Sequence, residues 1–307
     1  SLPFRAFALL SLSKDWFRGK TPFCSLVLIL LALLTPVHAS YPMRVKDARG
    51  KQVFIKARPV RIVSLAPNTT EILFALGLAD RIAGVTNYCN YPPEARKKAK
   101  VGDMGTSAEA VIALRPDLIV GHAFMNDKVI ARLEGLRQTV FAIDPKTISE
   151  VERDIRMLGR ITARPKTADA LAKKMEVGIE AVRASRKGKP SKRVLVVIQP
   201  SPLWAAGPKT FVDEMIKTAS ANNVASDARP GFVPFSKELA ISRNPEVIIV
   251  GSKSDASYFL TSPEWKNTTA VRLRHVYIIT PDLLVRPGPR LVKGLREMAR
   301  YLRNSTT

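Results

Sequence analysis

The chain has 307 residues, 46% of them apolar, and its 49 Lys+Arg against 26 Asp+Glu give a formal charge of +23. That apolar content excludes global disorder and is enough to fill one large or two ordinary domains. Two cysteines and three histidines exclude a disulfide framework and a Cys/His zinc module, and the presence of only one long apolar run excludes a multi-span membrane protein.

The apolar run, residues 23–37, follows Arg5, Lys14, Arg18 and Lys20 and leads into Val37-His38-Ala39 just before Ser40. A basic start, an apolar centre and a small-x-small end predict a secretory signal peptide, residues 1–39, cleaved after Ala39. The run ends in Thr35-Pro36 and falls short of the roughly 20 apolar residues of a membrane span, though an uncleaved anchor stays open. Cys24 opens the run rather than closing it, which does not fit a lipid anchor. Cleavage would leave a charge of about +20, with Cys89, His122 and His275 the remaining cysteine and histidines. The protein is expected to work outside the cytoplasm.

Six short β-branched runs follow: Arg61–Ala66, Asp117–Gly121, Val140–Asp144, Arg193–Gln199, Val247–Gly251 and Val276–Thr280. They are nearly continuous in hydrophobicity, as strands buried on both faces should be, and helical patterns lie between several of them. Strands alternating with helices predict a parallel α/β architecture. Between Asp144 and Arg193 the pattern changes. Ile148, Val151, Ile155 and Leu158 make one helical stripe. Beyond Pro165, Ala168, Leu171, Ala172, Met175, Ile179 and Val182 make a longer one, which ends at a basic Gly/Pro breaker, 186–190. The expected organisation is an N-terminal α/β lobe at 40–147, a helical segment at 148–190 containing one long inter-lobe helix, and a C-terminal α/β lobe at 191–307.

The lobes echo each other. Residues 109–121 read EAVIALRPDLIVG and residues 238–251 read ELAISRNPEVIIVG, each with Glu seven residues before Pro. Pro116 and Pro245 stop a helix, and Asp117 and Glu246 cap the turn into a strand.

Basic residues concentrate at 96–100, 183–193 and 286–303. In the last stretch Leu291, Leu295, Met298 and Leu302 alternate with Lys293, Arg296, Arg300 and Arg303, an amphipathic helix with a basic solvated face. Export and the spread of charge argue against nucleic acid and for attraction to anionic ligands or an anionic membrane surface.

Catalytic motifs are missing: no G-x-S-x-G, no H-E-x-x-H, no Walker loop and no G-x-G-x-x-G after a strand. His122 reads as a polar rim residue and His275 as a turn residue. Two histidines cannot build a three-His metal centre, so no metal ligands and no resident cofactor are expected. Candidate binding residues lie beyond strand ends. Asn68 and Glu71 have capping-box spacing at a helix N-terminus that could face a ligand. Tyr88 and Tyr91 sit in a Pro-rich loop, Trp204 follows the strand at 193–199, and Phe232 and Phe235 flank Pro234. Aromatics so placed suggest flat apolar walls for a small molecule.

These motifs together resemble the periplasmic substrate-binding proteins of ABC importers for vitamin B12 and iron chelates, with the cobalamin-binding members the nearest in look. The matching segments are RIVSLAPNTTEILFALG at 61–77, NYCNYPPEA at 87–95, EAVIALRPDLIV at 109–120, AGPKTFVDEMI at 206–216, SKE at 236–238 with NPEVIIV at 244–250, and RPGPRL at 286–291. The resemblance implies two Rossmann-like lobes joined by a single backbone helix, a monomer with little hinge motion, and no catalysis. It implies aromatic walls from Tyr88, Trp204 and Phe232, with Asp282 and Arg286 on a C-terminal-lobe loop. Where a cobalamin binder carries a wall Trp this chain has Met104, or the Trp is displaced, a departure that admits haem or a ferric siderophore as ligand. It implies that Glu109 and Glu238, the acids already paired by the echo, dock onto arginines of the permease and its ATPase assembly. Outside this class the alternatives are an exported α/β enzyme acting on an anionic substrate and a basic protein that coats anionic polymers.

Overall fold

Nearly continuous apolar runs become parallel strands here because helices cover both faces of each sheet. The computed structural model describes residues 40–103 and 106–305; the expected leader and Met104 lie outside them. The first sheet holds β3 (Ile62–Ser64), β4 (Ile82–Val85), β5 (Ala99–Lys100), β6 (Leu118–His122) and β7 (Val140–Ile143) in the order β5-β4-β3-β6-β7, all parallel. An antiparallel hairpin of β1 (Met43–Lys46) and β2 (Gln52–Ile55) precedes it. The second sheet places β8 (Arg193–Gln199) beside β12 (Val247–Val250) and β10 (Asn222–Asn223), with β13 (Val276–Ile278) beyond β12. Its other edge departs from the parallel expectation: β9 (Trp204–Ala206) and β11 (Phe232–Pro234) run antiparallel.

Helices α1 (Pro67–Ala75), α2 (Ala108–Ala113) and α3 (Asp127–Gly135) serve the first sheet. Helices α6 (Phe211–Thr218), α7 (Lys237–Ser242), α8 (Lys253–Thr261), α9 (Thr269–Arg272) and α10 (Leu291–Asn304) serve the second. Between the sheets stand α4 (Ile148–Ile161) and α5 (Pro165–Arg186). A reciprocal capping box between Thr147 and Glu150 starts α4, and Pro165 at the first position starts α5. The 22 residues of α5 span about 33 Å at 1.5 Å each. The two helices cross closely at Gly159, where an added Cβ would stand 2.2 Å from the Cβ of Ala168. Among the described residues no helix is long and apolar enough to cross a membrane.

One apolar core runs through all of this. Leu73 and Val120 of the first sheet's layer, Ile155 and Met175 of the central helices, and Val196 and Leu295 of the second layer belong to the same buried cluster. Two smaller clusters fill the outer face of each sheet, around Ile119 and Leu133 on one side and Phe259 and Trp265 on the other. A core shared by both sheets and the helices between them favours a stiff assembly over a hinged pair.

The sequence echo is a structural one. Arg115 and Asn244 both adopt φ 47°, each ahead of the Pro-acid pair. Asp117 accepts hydrogen bonds from the backbone N–H of Val60 and Arg61 at 2.8 and 3.0 Å, and Glu246 accepts from that of Arg193 at 3.0 Å. Each acid thereby ties the end of one helix–strand unit to the start of the sheet's central strand.

Two local expectations change. The capping box at Asn68 and Glu71 does not form, because Pro67 takes the first helical position and Ala66 becomes the cap residue without a side-chain bond. His275 is no open turn residue: it is 8% exposed and stacks on Tyr277 at 6.0 Å between ring centroids.

Candidate functional site

The strand order β5-β4-β3-β6-β7 reverses direction between β3 and β6, and ligands of such sheets lie outside the carboxyl ends of the strands at that reversal. A cavity of about 300 Å³ opens there. Leu65, Ala66 and Asn68 line it after β3, Thr86 and Tyr88 after β4, His122 at the end of β6, and Met125 and Asn126 after it. Val285, Arg286 and Pro287, from the loop beyond β13, close it from the second lobe. The site is therefore assembled from strand ends of one lobe and a single loop of the other.

Tyr88 presents its ring with 52% of the residue exposed, while Cys89 beside it is buried against the Thr86 hydroxyl at 3.1 Å. Asn68 is buried, and its Nδ2 has no hydrogen-bond partner among the described residues. His122 is fixed rather than free. Its Nδ1 accepts from the N–H groups of Phe124 and Met125 at 3.4 and 3.5 Å, and its Nε2 faces Asp144 at 3.5 Å. Burial pushes the imidazole below its ordinary value, with Asp144 opposing and Lys146 adding to the shift. These contacts hold the ring in place beneath the 122–126 loop. That loop carries Phe124 at 78% and Met125 at 45% exposure, apolar groups at the rim that strand-end reasoning did not single out.

Arg286 and Arg290 join the lobes. Arg286 donates to Asn90 Oδ1 at 2.7 Å and to the Tyr88 carbonyl at 3.4 Å, and pairs with Asp282 at 3.0 Å and Glu71 at 3.7 Å. Arg290 forks onto Glu71, Nε to Oε2 at 2.8 Å and Nη2 to Oε1 at 2.5 Å, while its guanidinium lies 3.8 Å from the Tyr91 ring centre. Burial pushes the Glu71 carboxyl above its usual value, against the pull of Arg290 and Arg286. Burial also works against the charge on Arg290, but the bonds to Glu71 outweigh it and hold the guanidinium above its ordinary value. The bidentate guanidinium–carboxylate contact is a partly buried ionic clasp between the lobes.

Of the residues expected in the pocket, Tyr88 and Arg286 meet in this cavity, and Asp282 stands behind Arg286. Trp204 and Phe232 are not among its walls. They sit on the antiparallel edge, where Phe232 opposes Ala206 and Trp204 opposes Pro234, so both project from one face of the ladder. Phe232 packs edge-to-face on Phe211 at 5.8 Å. The two echoed acids have matching environments. Ser107 and Ser236 cap α2 and α7, and each hydroxyl donates to the following Glu, at 2.7 Å for Glu109 and 2.9 Å for Glu238. The Ser107 hydroxyl, the residue's own N–H and Arg132 hold Glu109 below the ordinary carboxyl range; its own N–H and Ser236 do so for Glu238. Both are exposed and ionised. Glu109 is paired with Arg132, whereas Lys237, next to Glu238, is drawn to Glu264.

A two-lobed α/β binding fold with an inter-lobe cavity defines the class, and sequence comparison agrees. Residues 62–283 match the periplasmic binding protein family, and the chain belongs to it. It is 35% identical over 267 residues to an uncharacterized ABC transporter substrate-binding lipoprotein of Bacillus subtilis, covering 84% of this chain and 85% of that one. Among solved structures it resembles the periplasmic haem-binding protein RhuT from Roseiflexus sp. RS-1, with a TM-score of 0.72, 29% identity and coverage of 80% and 98%. The periplasmic vitamin B12 binding protein BtuF of Vibrio cholerae also gives a TM-score of 0.72, at 25% identity and coverage of 81% and 98%. The protein is a periplasmic substrate-binding component of the ABC-transporter kind, and the exported-enzyme alternative is set aside on that membership.

Removing one partner of a buried ion pair costs about 3–5 kcal/mol, and the Arg290 side chain retains 20% exposure. Glu71→Ala is therefore expected to lose about 2–3 kcal/mol in urea unfolding, somewhat below the buried limit. Arg290→Ala in the same background should add little more, and losses that sum within about 0.5 kcal/mol would show that the two residues are not coupled.

Proposed function

We propose that this protein captures cobalamin, or a closely related corrinoid, between its lobes in the periplasm and hands it to an ABC permease. The carrying observation is the cavity at the sheet reversal, where exposed Tyr88 of one lobe meets Arg286 of the other. A ligand that brings its own chelated metal needs no protein ligand to that metal.

Binding energy would come from burying a large rigid ligand in a site formed beforehand, which limits the ordering cost. The continuous core and the ionic clasp supply that preorganisation. Tyr88, Phe124 and Met125 offer apolar contact, and Arg286 offers a cation to carboxylate or amide oxygens at the ligand's edge. The cavity of about 300 Å³ is at the lower end of ordinary small-molecule pockets, about 300–1,000 Å³, so a corrinoid would extend beyond it. Haem is the second reading. The Met at position 104 in place of a wall Trp and the likeness to a haem-binding structure favour it.

Titrating the protein purified without ligand with cobalamin, haem and a ferric siderophore, followed by Trp fluorescence, separates these readings. One-to-one saturation by cobalamin alone is expected, and saturation by haem alone moves the assignment. Tyr88→Ala should weaken binding at least about tenfold, the equivalent of 1.4 kcal/mol, without changing the melting temperature. A comparable loss in Trp204→Ala marks the larger, extended footprint; unchanged affinity there confines the ligand to the cavity.

Delivery would use Glu109 and Glu238, exposed, ionised and presented by equivalent capped helices. Complementary charge fixes register between partners more than it adds affinity. Glu109→Lys with Glu238→Lys is expected to leave ligand binding intact and to abolish uptake in cells. Normal uptake by that double variant removes the docking role.

A further inference from the structure

Helix α10 buries Leu291, Leu295, Met298 and Leu302 as their spacing predicts, and it leaves Lys293, Arg296, Arg300 and Arg303 exposed. It lies tightly on α5. A Cβ at Gly178 would stand 2.5 Å from Val292 Cγ1 and 3.1 Å from Arg296 Nη2. Beside this contact the two helices form an open groove of about 570 Å³, with Val182 and Ala299 along it and the four cations on its α10 side. An adjoining hollow of about 290 Å³ shares Lys293 and Arg296 and adds Lys174.

These cations outnumber the acids beside them. Among the described residues no ion pair joins Lys174, Lys293, Arg296, Arg300 or Arg303 to a carboxylate, and most of the nearby acids are engaged elsewhere. Glu176 is held by Arg156 and Lys173, Glu180 by Arg183, and Glu71, which lines the hollow, by Arg290. Glu297 is the acid lining the groove, and it faces four cations. Arg303 also adds to the effect of burial in holding Arg186 below its ordinary value, a sign of unrelieved positive potential.

We infer that this groove is a docking surface for an anionic phospholipid membrane, with lipid phosphates between the cations of α10 and α5. The geometry favours a surface over a single ion. From Lys293 to Arg303 the cations span about 15 Å along the helix. One phosphate cannot cover that length, whereas an array of headgroups can. The attraction acts within a Debye length, about 8 Å at physiological salt, so it is reversible and salt-sensitive. It is independent of what the cleft binds and holds whichever ligand the cavity takes.

The test is sedimentation of the folded protein with phosphatidylcholine vesicles, with and without phosphatidylglycerol. Binding is expected only with phosphatidylglycerol and should fall as salt rises. Arg296→Gln/Arg300→Gln/Arg303→Gln should reduce partitioning at least about tenfold. A control that removes the same charge elsewhere, Arg96→Gln/Lys97→Gln/Lys266→Gln, should change it less than about threefold. Lys174→Gln/Lys293→Gln is the second groove variant, should the first lower the melting temperature, and the same drop is expected. Equal losses in groove and control variants would reduce the effect to net charge and overturn the proposal, as would no binding to phosphatidylglycerol. Displacement by millimolar inorganic phosphate at constant ionic strength would overturn it in favour of a free-anion site.

Discussion

Glu71 lies in a helix whose residues 68–73 are all buried, so its charge has to be met inside the protein. It is met from the other lobe. Arg290 forks onto it and Arg286 stands 3.7 Å away, and the same Arg286 reaches the Asn90 side chain and the Tyr88 carbonyl at the cavity wall. The interaction that makes a buried carboxylate tolerable thus also fixes the loop that closes the site. Such a clasp is a costly element unless both partners are present, which ties the integrity of the cavity to the packing of the lobes. The shared apolar core through α4 and α5 acts in the same direction. A pocket built this way is held open by the fold and does not depend on the ligand to assemble it.

Charge is distributed by role on this strongly basic chain. Two ionised acids stand on equivalent capped helices, one cation reaches into the cavity, and a row of cations without a carboxylate ion pair among the described residues lines α10 beside α5. The helix–strand unit repeated in each lobe explains why the acids come as a pair. The φ of 47° before each Pro, and the acid that clamps the central strand, are the same local solution used twice.

Much of this was legible in the chain. Strands covered on both faces announce themselves as apolar runs, and β8 has the predicted bounds, Arg193–Gln199. The stripes at 148–158 and 168–182 gave α4 and α5 because a helix between two layers must show an apolar face to each. Strands of three or four residues left too little alternation to read, so the β1–β2 hairpin and the antiparallel β9–β11 edge were not foreseen. Glu71 was misread because capping-box spacing is a local signal, while its real partners lie 219 residues away in sequence at Arg290. The usable sign was a lone carboxylate in an otherwise apolar stretch, TEILFALG, together with the Arg286-x-x-x-Arg290 spacing. Phe124 and Met125 escaped because apolar residues in a loop look like packing until their exposure is known.

The central claim is that one bulky ligand contacts both lobes at the sheet reversal, and hydrogen exchange read by mass spectrometry tests it most directly. With cobalamin or haem at saturation, amide exchange should slow together in segments 86–91 and 122–126 of one lobe and 284–288 of the other. Protection in a single lobe, or confined to the α5–α10 groove, would contradict a ligand held between them.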